Sequence, residues 1–118
     1  MIKFIFENGP FTEKDVQEED GRVTVGRGKD NLIQLLNEKI SRNHCVIKQE
    51  EDIFILEDLG STNGTFVNGR SVKEKIVSPS DRIRVGDITF YFLPGGFKGS
   101  TASGTGRTAW RSAASSSG

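Results

Sequence analysis

The chain has 118 residues, with 16 basic and 16 acidic side chains, so its formal net charge is zero. This length predicts one domain. Cys45 is the only cysteine, which excludes an intrachain disulfide and favours a reducing compartment. One histidine and one cysteine cannot supply the ligands of a zinc site, so no metal and no cofactor are expected.

Composition divides the chain into two regions. Nineteen of the 24 residues in 95–118 are Gly, Ser, Ala or Thr, and this region has three basic residues and no acid. Because such a sequence buries too little apolar surface to offset its chain entropy, residues 95–118 are predicted to be a flexible tail or linker. Residues 1–94 are predicted to be the folded domain. Their net charge is −3, whereas a general nucleic-acid binder is usually basic.

The apolar run at the N-terminus is short. It covers residues 2–6 and ends at Glu7 and Asn8. A signal peptide or a membrane span needs a longer apolar stretch, so neither is expected. Together with the single cysteine, this predicts a cytoplasmic protein (or a nuclear one in a eukaryote) that does not bind membranes.

Short β-rich runs separated by turn signals follow one another along residues 1–94, and helical periodicity is nearly absent. The predicted strands are, in chain order, residues 2–6, 11–17, 23–26, 32–35, 45–49, 53–57, 65–67, 71–72, 75–77, 82–85 and 88–93. This pattern predicts an all-β sandwich or barrel whose loops carry the function. Residues 53–56 are expected to be covered on both faces, as in a central strand. The predicted core consists of Phe4, Phe6, Val25, Ile33, Val46, Phe54, Leu56, Phe66, Val67, Ile83, Val85, Ile88 and Phe90.

Two Asn-Gly pairs lie five residues apart, at 63–64 and 68–69. Asn-Gly is a strong signal for a two-residue hairpin turn, because both residues tolerate positive φ. Both pairs are therefore predicted to be turns. The first pair follows two hydroxyl residues, Ser61 and Thr62, which predicts a second role for that loop in recognition.

Three loops carry polar residues of a type suited to an oxyanion: Gly26-Arg27, residues 41–44 (Ser-Arg-Asn-His) and residues 61–64 (Ser-Thr-Asn-Gly). In a sandwich, loops at one end come together. A phosphate offers three acceptor oxygens and about −2 charge, which an arginine fork binds with two parallel hydrogen bonds. Hydroxyl groups add neutral donors, and an asparagine amide can hold a peptide backbone beside the phosphate.

These three blocks, in this order and spacing, resemble the forkhead-associated (FHA) domain. The resemblance covers roughly residues 2–93 and includes the block Thr65-x-Val67-Asn68-Gly69 and the Gly86-Asp87-Ile88 run near the end. It implies an FHA-type β-sandwich of two mainly antiparallel sheets, with about eleven short strands and the ligand loops at one end. FHA domains read phosphorylated motifs, and the resemblance implies binding of phosphothreonine peptides.

The resemblance also implies a role for each matching residue. Arg27 corresponds to the family's phosphate-binding arginine, and Ser41 to the serine whose hydroxyl donates to the phosphate. Arg42 corresponds to a position that supplies a backbone N–H or a basic side chain. Thr62 corresponds to a further contact with the phosphate or the threonine, and Asn63 to the asparagine that holds the peptide backbone.

Other residues are expected to support this site. His44 matches a histidine that braces the loops, and Gly26, Ser61 and Gly64 shape them. Lys39 lies two residues before Ser41, where a basic side chain would favour an acidic residue after the phosphothreonine.

The predicted function is a non-catalytic, monomeric module that binds phosphothreonine-containing proteins in Ser/Thr kinase signalling, as part of a larger protein. The alternative is a degenerate FHA-like scaffold that binds partners independently of phosphate. The presence of Arg27, Ser41 and Asn63 argues against that alternative.

Two other classes are disfavoured. Ser41, His44 and Asp58 have the residue types of a hydrolase triad, but no nucleophile-elbow motif surrounds Ser41 and there is no P-loop. Nucleic-acid binding would need aromatic residues interleaved with basic ones on one strand face, whereas most phenylalanines occupy core-like positions. A further hypothesis is that a phosphorylated tail threonine (Thr101, Thr105 or Thr108) occupies the domain's own site at high effective concentration.

Overall fold

The computed structural model describes residues 1–94. The predicted tail, residues 95–118, lies outside the described residues, and so do the three tail threonines of the self-binding hypothesis. Within residues 1–94 no helix has the length and apolar character needed to cross a membrane.

Eleven strands form two sheets. In chain order the strands are β1 Ile2–Phe6, β2 Glu13–Val16, β3 Arg22–Gly26, β4 Ile33–Gln34, β5 Cys45–Glu50, β6 Ile53–Asp58, β7 Thr65–Val67, β8 Arg70–Val72, β9 Glu74–Val77, β10 Ile83–Val85 and β11 Ile88–Pro94. The six-stranded sheet has the order β2-β1-β11-β10-β7-β8, and the five-stranded sheet has the order β4-β3-β5-β6-β9. All strand pairs are antiparallel except β3 with β4. The predicted all-β sandwich is confirmed.

The core lies between the sheets and is rich in phenylalanine. Phe4 packs against Phe90 in a T-shaped pair, with ring centroids 5.8 Å apart, within the six-stranded sheet. Phe54 of the five-stranded sheet meets Phe92 of the other sheet at 4.9 Å. Burying each of these side chains contributes about 2–3 kcal/mol, so the aromatic contacts hold the two sheets together.

The predicted core residues are all buried except one, although Val46 lies outside the continuous core cluster. Phe66 is only half-buried, because its side chain lies on the outer face of the six-stranded sheet while Thr65 and Val67 point inward. The expectation that residues 53–56 are covered on both faces is wrong. Phe54 and Leu56 are buried, but Ile53 is 41% exposed, because no layer covers the outer face of the five-stranded sheet at that position.

The two Asn-Gly pairs differ in conformation. Asn68 and Gly69 have φ of 51° and 86° and close the β7–β8 hairpin, where Val67 pairs with Arg70. Gly64 has a φ of 89°, but Asn63 is not in the positive-φ region. The prediction of a hairpin turn is wrong for Asn63-Gly64, because β6 and β7 belong to different sheets and this loop crosses between them.

Strand register brings the polar loops to one end of the sandwich. Cys45, at the start of β5, pairs with Val25 near the end of β3 and with Asp58 at the end of β6. The loops that follow Gly26, precede Cys45 and follow Asp58 therefore adjoin one another. We call the end of the sandwich that carries these three loops the loop end. The β5–β6 turn at residues 50–53 lies at the opposite end.

Candidate functional site

Two of the loops approach each other closely at Gly26. A Cβ atom at Gly26 would lie 2.1 Å from the carbonyl oxygen of Arg42, a distance that no side chain tolerates. The glycine allows the backbones to join, with the Arg27 amide donating to the Ser41 carbonyl at 2.9 Å and the Gly28 amide to the Arg42 carbonyl at 3.1 Å. The backbone of Arg27 is therefore fixed beside that of Ser41.

Asn31 strengthens the same junction and was not predicted from the sequence. Its side chain is 8% exposed, and its amide nitrogen donates to the carbonyls of Gly28 at 2.8 Å and Arg42 at 2.7 Å. A buried amide that satisfies two carbonyls holds both loops in register. In the sequence Asn31 is one polar residue in a polar loop, and nothing there indicates which carbonyls it meets.

His44 connects the loop of residues 41–44 to the loop of residues 61–64. The Ser41 amide donates to Nδ1 of the fully buried imidazole at 3.0 Å, so Nδ1 carries no proton. Nε2 therefore carries it, and donates to the Gly64 carbonyl at 2.9 Å. The neutral ring thus links the two loops.

The same contacts separate His44 from the hydroxyl of Ser41. Both ring nitrogens already have partners, and the partner that Ser41 supplies is its backbone amide rather than its Oγ. A serine nucleophile needs its hydroxyl within hydrogen-bond reach of the base. The Ser–His pair of a hydrolase is therefore not formed here.

Asp58 organises the loop that carries Ser61 and Thr62. Its carboxylate accepts hydrogen bonds from the amides of Gly60 and Ser61 and from the hydroxyls of Ser61 and Thr65. Burial raises the pKa of Asp58, but the hydrogen bonds from Ser61, Thr65 and Gly60 lower it by more, so the net shift of this pKa is downward. The Ser61 hydroxyl also accepts the Gly64 amide at 3.0 Å, which completes the turn.

Ser41 and Arg27 retain donors that face no protein group. The Ser41 Oγ accepts the Thr62 amide at 3.0 Å, which leaves the hydroxyl proton available. Nε of Arg27 donates to the Ile40 carbonyl at 3.0 Å, and among residues 1–94 its two terminal nitrogens have no hydrogen-bond partner. Arg27 is exposed, so a held guanidinium and a free hydroxyl proton are offered to solvent at the loop end.

Asn63 and Thr62 lie on the rim of the same end. Both are exposed, and the Asn63 amide nitrogen donates to the Lys39 carbonyl at 2.9 Å, which leaves its side-chain oxygen free to accept a peptide N–H. The Thr62 hydroxyl has no hydrogen-bond partner within residues 1–94, and its amide is the one that holds Ser41. The Arg42 side chain is also exposed, while its carbonyl holds Gly28 and Asn31.

Lys39 is not a free cation. Its Nζ lies 3.3 Å from a carboxylate oxygen of Asp87, and Asn37 donates to the other oxygen at 3.2 Å. These hydrogen bonds, from Asn37 first and then Lys39, lower the pKa of Asp87. The β10–β11 turn is thereby tied to the loop end. The assignment of Lys39 to the reading of an acidic peptide residue stays a prediction, with Asp87 as a competitor for its charge.

Comparison with known proteins identifies the family. The sequence-family model of the FHA domain matches residues 23–86 of this chain. This chain belongs to the FHA domain family. The matched region contains the three loops that carry Arg27, Ser41 and Asn63, and the resemblance stated from the sequence is confirmed.

Curated relatives match this chain over the FHA region. FhaA from Mycobacterium tuberculosis is 39% identical over 70 residues, which are 59% of this chain and 13% of FhaA. The glycogen accumulation regulator GarA from Mycobacterium tuberculosis is 32% identical over 84 residues, which are 71% of this chain and 52% of GarA. The chain thus spans about half the length of GarA and a much smaller share of FhaA.

Solved structures agree in fold. The FhaA FHA domain, in complex with the intracellular domain of Rv3910, superposes with a TM-score of 0.69 at 30% identity, covering 79% of this chain and 100% of that one. Another FHA domain, from a structural and functional analysis of phosphothreonine-dependent FHA interactions, superposes with a TM-score of 0.69 at 31% identity, covering 77% of this chain and 93% of that one.

Proposed function

We propose that residues 1–94 form a non-catalytic module that binds phosphothreonine in a partner protein, within Ser/Thr kinase signalling. The observation that carries the proposal is the loop end itself. There, Arg27 is held through Nε and keeps the N–H groups of its two terminal nitrogens free. Ser41 Oγ accepts one hydrogen bond and keeps its hydroxyl proton free. Two charge-assisted hydrogen bonds from Arg27 and one hydrogen bond from Ser41 suit the three oxygens of a phosphate.

The residues around this pair complete the proposed roles. Asn63, held by the Lys39 carbonyl, is proposed to bind the peptide backbone next to the phosphothreonine. Thr62 and Arg42 are proposed to contact the phosphate or its neighbours from exposed positions. His44 and Asn31 are proposed to act only through the loops that they hold.

The relatives support the same proposal. One matching FHA structure comes from work on phosphothreonine-dependent interactions, and FhaA is seen bound to a protein domain. Another relative, from Corynebacterium diphtheriae and 31% identical over 73 residues, is named an oxoglutarate dehydrogenase inhibitor. An intracellular location is part of the proposal, because the partner would be the product of a Ser/Thr kinase. A monomeric state is proposed as well.

Calorimetric titration tests the proposal with matched variants. Degenerate phosphothreonine peptides would be compared with their unphosphorylated and phosphoserine versions, using wild type, Arg27→Gln and Arg22→Gln. Arg22 begins β3 at the opposite end, so its variant has the same charge change without touching the proposed site. We expect phosphothreonine binding that loses about 2 kcal/mol or more in Arg27→Gln and is unchanged in Arg22→Gln. Phosphate-independent binding by the folded domain would instead support the scaffold alternative.

A further inference from the structure

The outer face of the six-stranded sheet carries two arginines that stack on aromatic rings. The guanidinium carbon of Arg84, in β10, lies 4.2 Å from the ring centroid of Phe66 in β7. That of Arg82 lies 4.2 Å from the ring centroid of Tyr91 in β11. Residues two apart along an extended chain point to the same side and lie about 7 Å apart. We call Phe66, Arg82, Arg84 and Tyr91 the stacked-arginine face.

Arg84 makes no direct ion pair within residues 1–94, although its charge adds to the effect of Asn37 and Lys39 in lowering the pKa of Asp87. Among residues 1–94 no carboxylate oxygen lies within 4.0 Å of its guanidinium, and Nη1 donates to the Gly86 carbonyl at 3.1 Å. Two cations nearby differ from it, because Arg82 pairs with Glu7 at 2.6 Å and Lys39 pairs with Asp87 at 3.3 Å. Arg84 is therefore a held cation whose remaining N–H groups face solvent.

The stacked-arginine face begins beside the proposed phosphothreonine site. A Cβ atom at Gly64 would lie 3.4 Å from the Phe66 ring, and Gly64 directly follows Asn63. Register places Arg84 opposite Phe66, while Arg82 lies farther from the loop end along the same strand direction. A polypeptide that leaves the loop end over this sheet would meet Arg84 first and Arg82 second.

We infer that the stacked-arginine face binds an acidic segment of the same partner that carries the phosphothreonine. This inference rests on the proposed function. A guanidinium lying flat on a ring keeps its in-plane N–H donors available for carboxylates, and the ring fixes it before binding. Less side-chain entropy is then lost on binding. Asp and Glu side chains are the matching groups, and Arg84 is the principal residue because Glu7 competes only for Arg82.

The face is less suited to single-stranded nucleic acid. Bases bind such surfaces by stacking on exposed aromatic rings. Here a guanidinium already covers one side of each ring. The described domain is also acidic overall, with a net charge of −3. A polypeptide with carboxylates therefore fits the face better than a nucleic acid.

The test uses the full chain and three phosphothreonine peptides. One peptide has neutral flanks, one has four Glu before the phosphothreonine, and one has four Glu after it. For each protein the measured quantity is the ratio of affinities for the acidic and neutral peptides. The proteins are wild type, Arg84→Gln, Arg82→Gln and Arg70→Gln. Arg70 is the control, because it pairs with inward-pointing Val67 and thus lies on the other face of this sheet.

We expect one acidic peptide to bind wild type and Arg70→Gln about fivefold more tightly than the neutral peptide. The ratio should fall to near one in Arg84→Gln and to an intermediate value in Arg82→Gln. A ratio near one in wild type, with phosphothreonine binding intact, would overturn the inference alone, and so would an unchanged ratio in Arg84→Gln. Tighter binding of a 12-nucleotide oligothymidylate than of either acidic peptide, lost in Arg84→Gln, would also overturn it. If wild type bound none of the three phosphothreonine peptides, the proposed function would be refuted as well.

Discussion

The loop end and the opposite end of the sandwich are held in different ways. Within residues 1–94 the buried polar side chains are those of Asn31, His44 and Thr65, and all three lie at the loop end, where each holds a loop. At the opposite end, the turns close through backbone hydrogen bonds, such as the pair between Glu19 and Arg22, and through exposed side chains such as that of Asn68. The charged side chains there are exposed. Buried polar groups are costly unless they are fully paired, so their concentration at one end indicates a need for fixed loop positions.

The largest effect is expected from removing His44. In His44→Ala the Ser41 amide and the Gly64 carbonyl lose their buried partner and a cavity forms, which should lower the free energy of unfolding by about 4 kcal/mol. Phe54→Ala, in a core strand that reaches the opposite end, should cost a similar amount. Urea unfolding would measure both. Phosphopeptide titration of the folded proteins at low temperature should then show a loss only in His44→Ala, and equal affinity in the two variants would contradict this difference between the ends.

Glycines provide a second comparison between the ends. In Gly26→Ala the new Cβ meets the Arg42 carbonyl, so we expect a loss of about 3 kcal/mol and weaker peptide binding. In Gly21→Ala the strain comes from a φ of 71° and from a milder approach of the new Cβ to the Gln49 carbonyl oxygen, at 3.3 Å, and should cost about 1–2 kcal/mol, with binding unchanged. Thermal unfolding and calorimetric titration would measure the two effects. A smaller loss in Gly26→Ala than in Gly21→Ala would show that the loop junction is not tight.

Asparagine-to-aspartate substitutions provide a third comparison of stability between the two ends, with a smaller expected difference. Asn31→Asp replaces a buried donor by an oxygen that faces two carbonyls, so we expect a loss of about 2 kcal/mol at neutral pH. Asn68→Asp, in the exposed β7–β8 turn of the opposite end, loses the hydrogen bond from its amide to Asp81 and places two carboxylates together, but water screens both effects, so it should cost about 1 kcal/mol. Denaturant midpoints at pH 7 would measure the difference, and equal midpoints would argue against a bracing role for Asn31.

Acid should affect the loop end through Asp58. Its pKa is lower in the folded protein than its ordinary value, so the ionised carboxylate stabilises the fold above about pH 4. This contribution is lost as the pH falls through the lowered pKa. Asp58→Asn should be less stable than wild type at pH 7, and its stability should decline less between pH 5 and pH 3. Urea unfolding across this range would measure both slopes, and identical slopes would exclude the contribution.

Local pattern allowed much of the molecule to be predicted. The strands alternate or cluster apolar residues between turn signals, and the three loops carry short motifs with a recognisable order, so both were accessible from the sequence. The hydrogen-bond and ion-pair partners of individual side chains could not be predicted from the sequence. The role of Asn31 depends on where the Arg42 carbonyl lies, and the pairing of Lys39 depends on the β10–β11 turn. Phe66 looked like a core residue because short strands between two turns give no indication of which face is inward.

Backbone amide NMR shifts during titration with a phosphothreonine peptide would test the central claim most directly. The claim is that the loop end is built to bind phosphothreonine and the opposite end is not. We expect large shifts at residues 26–28, 41–44 and 61–64, and negligible shifts at residues 19–22 and 50–53. The unphosphorylated peptide should cause none of them. Shifts centred on the opposite end, or equal shifts with the unphosphorylated peptide, would contradict the claim.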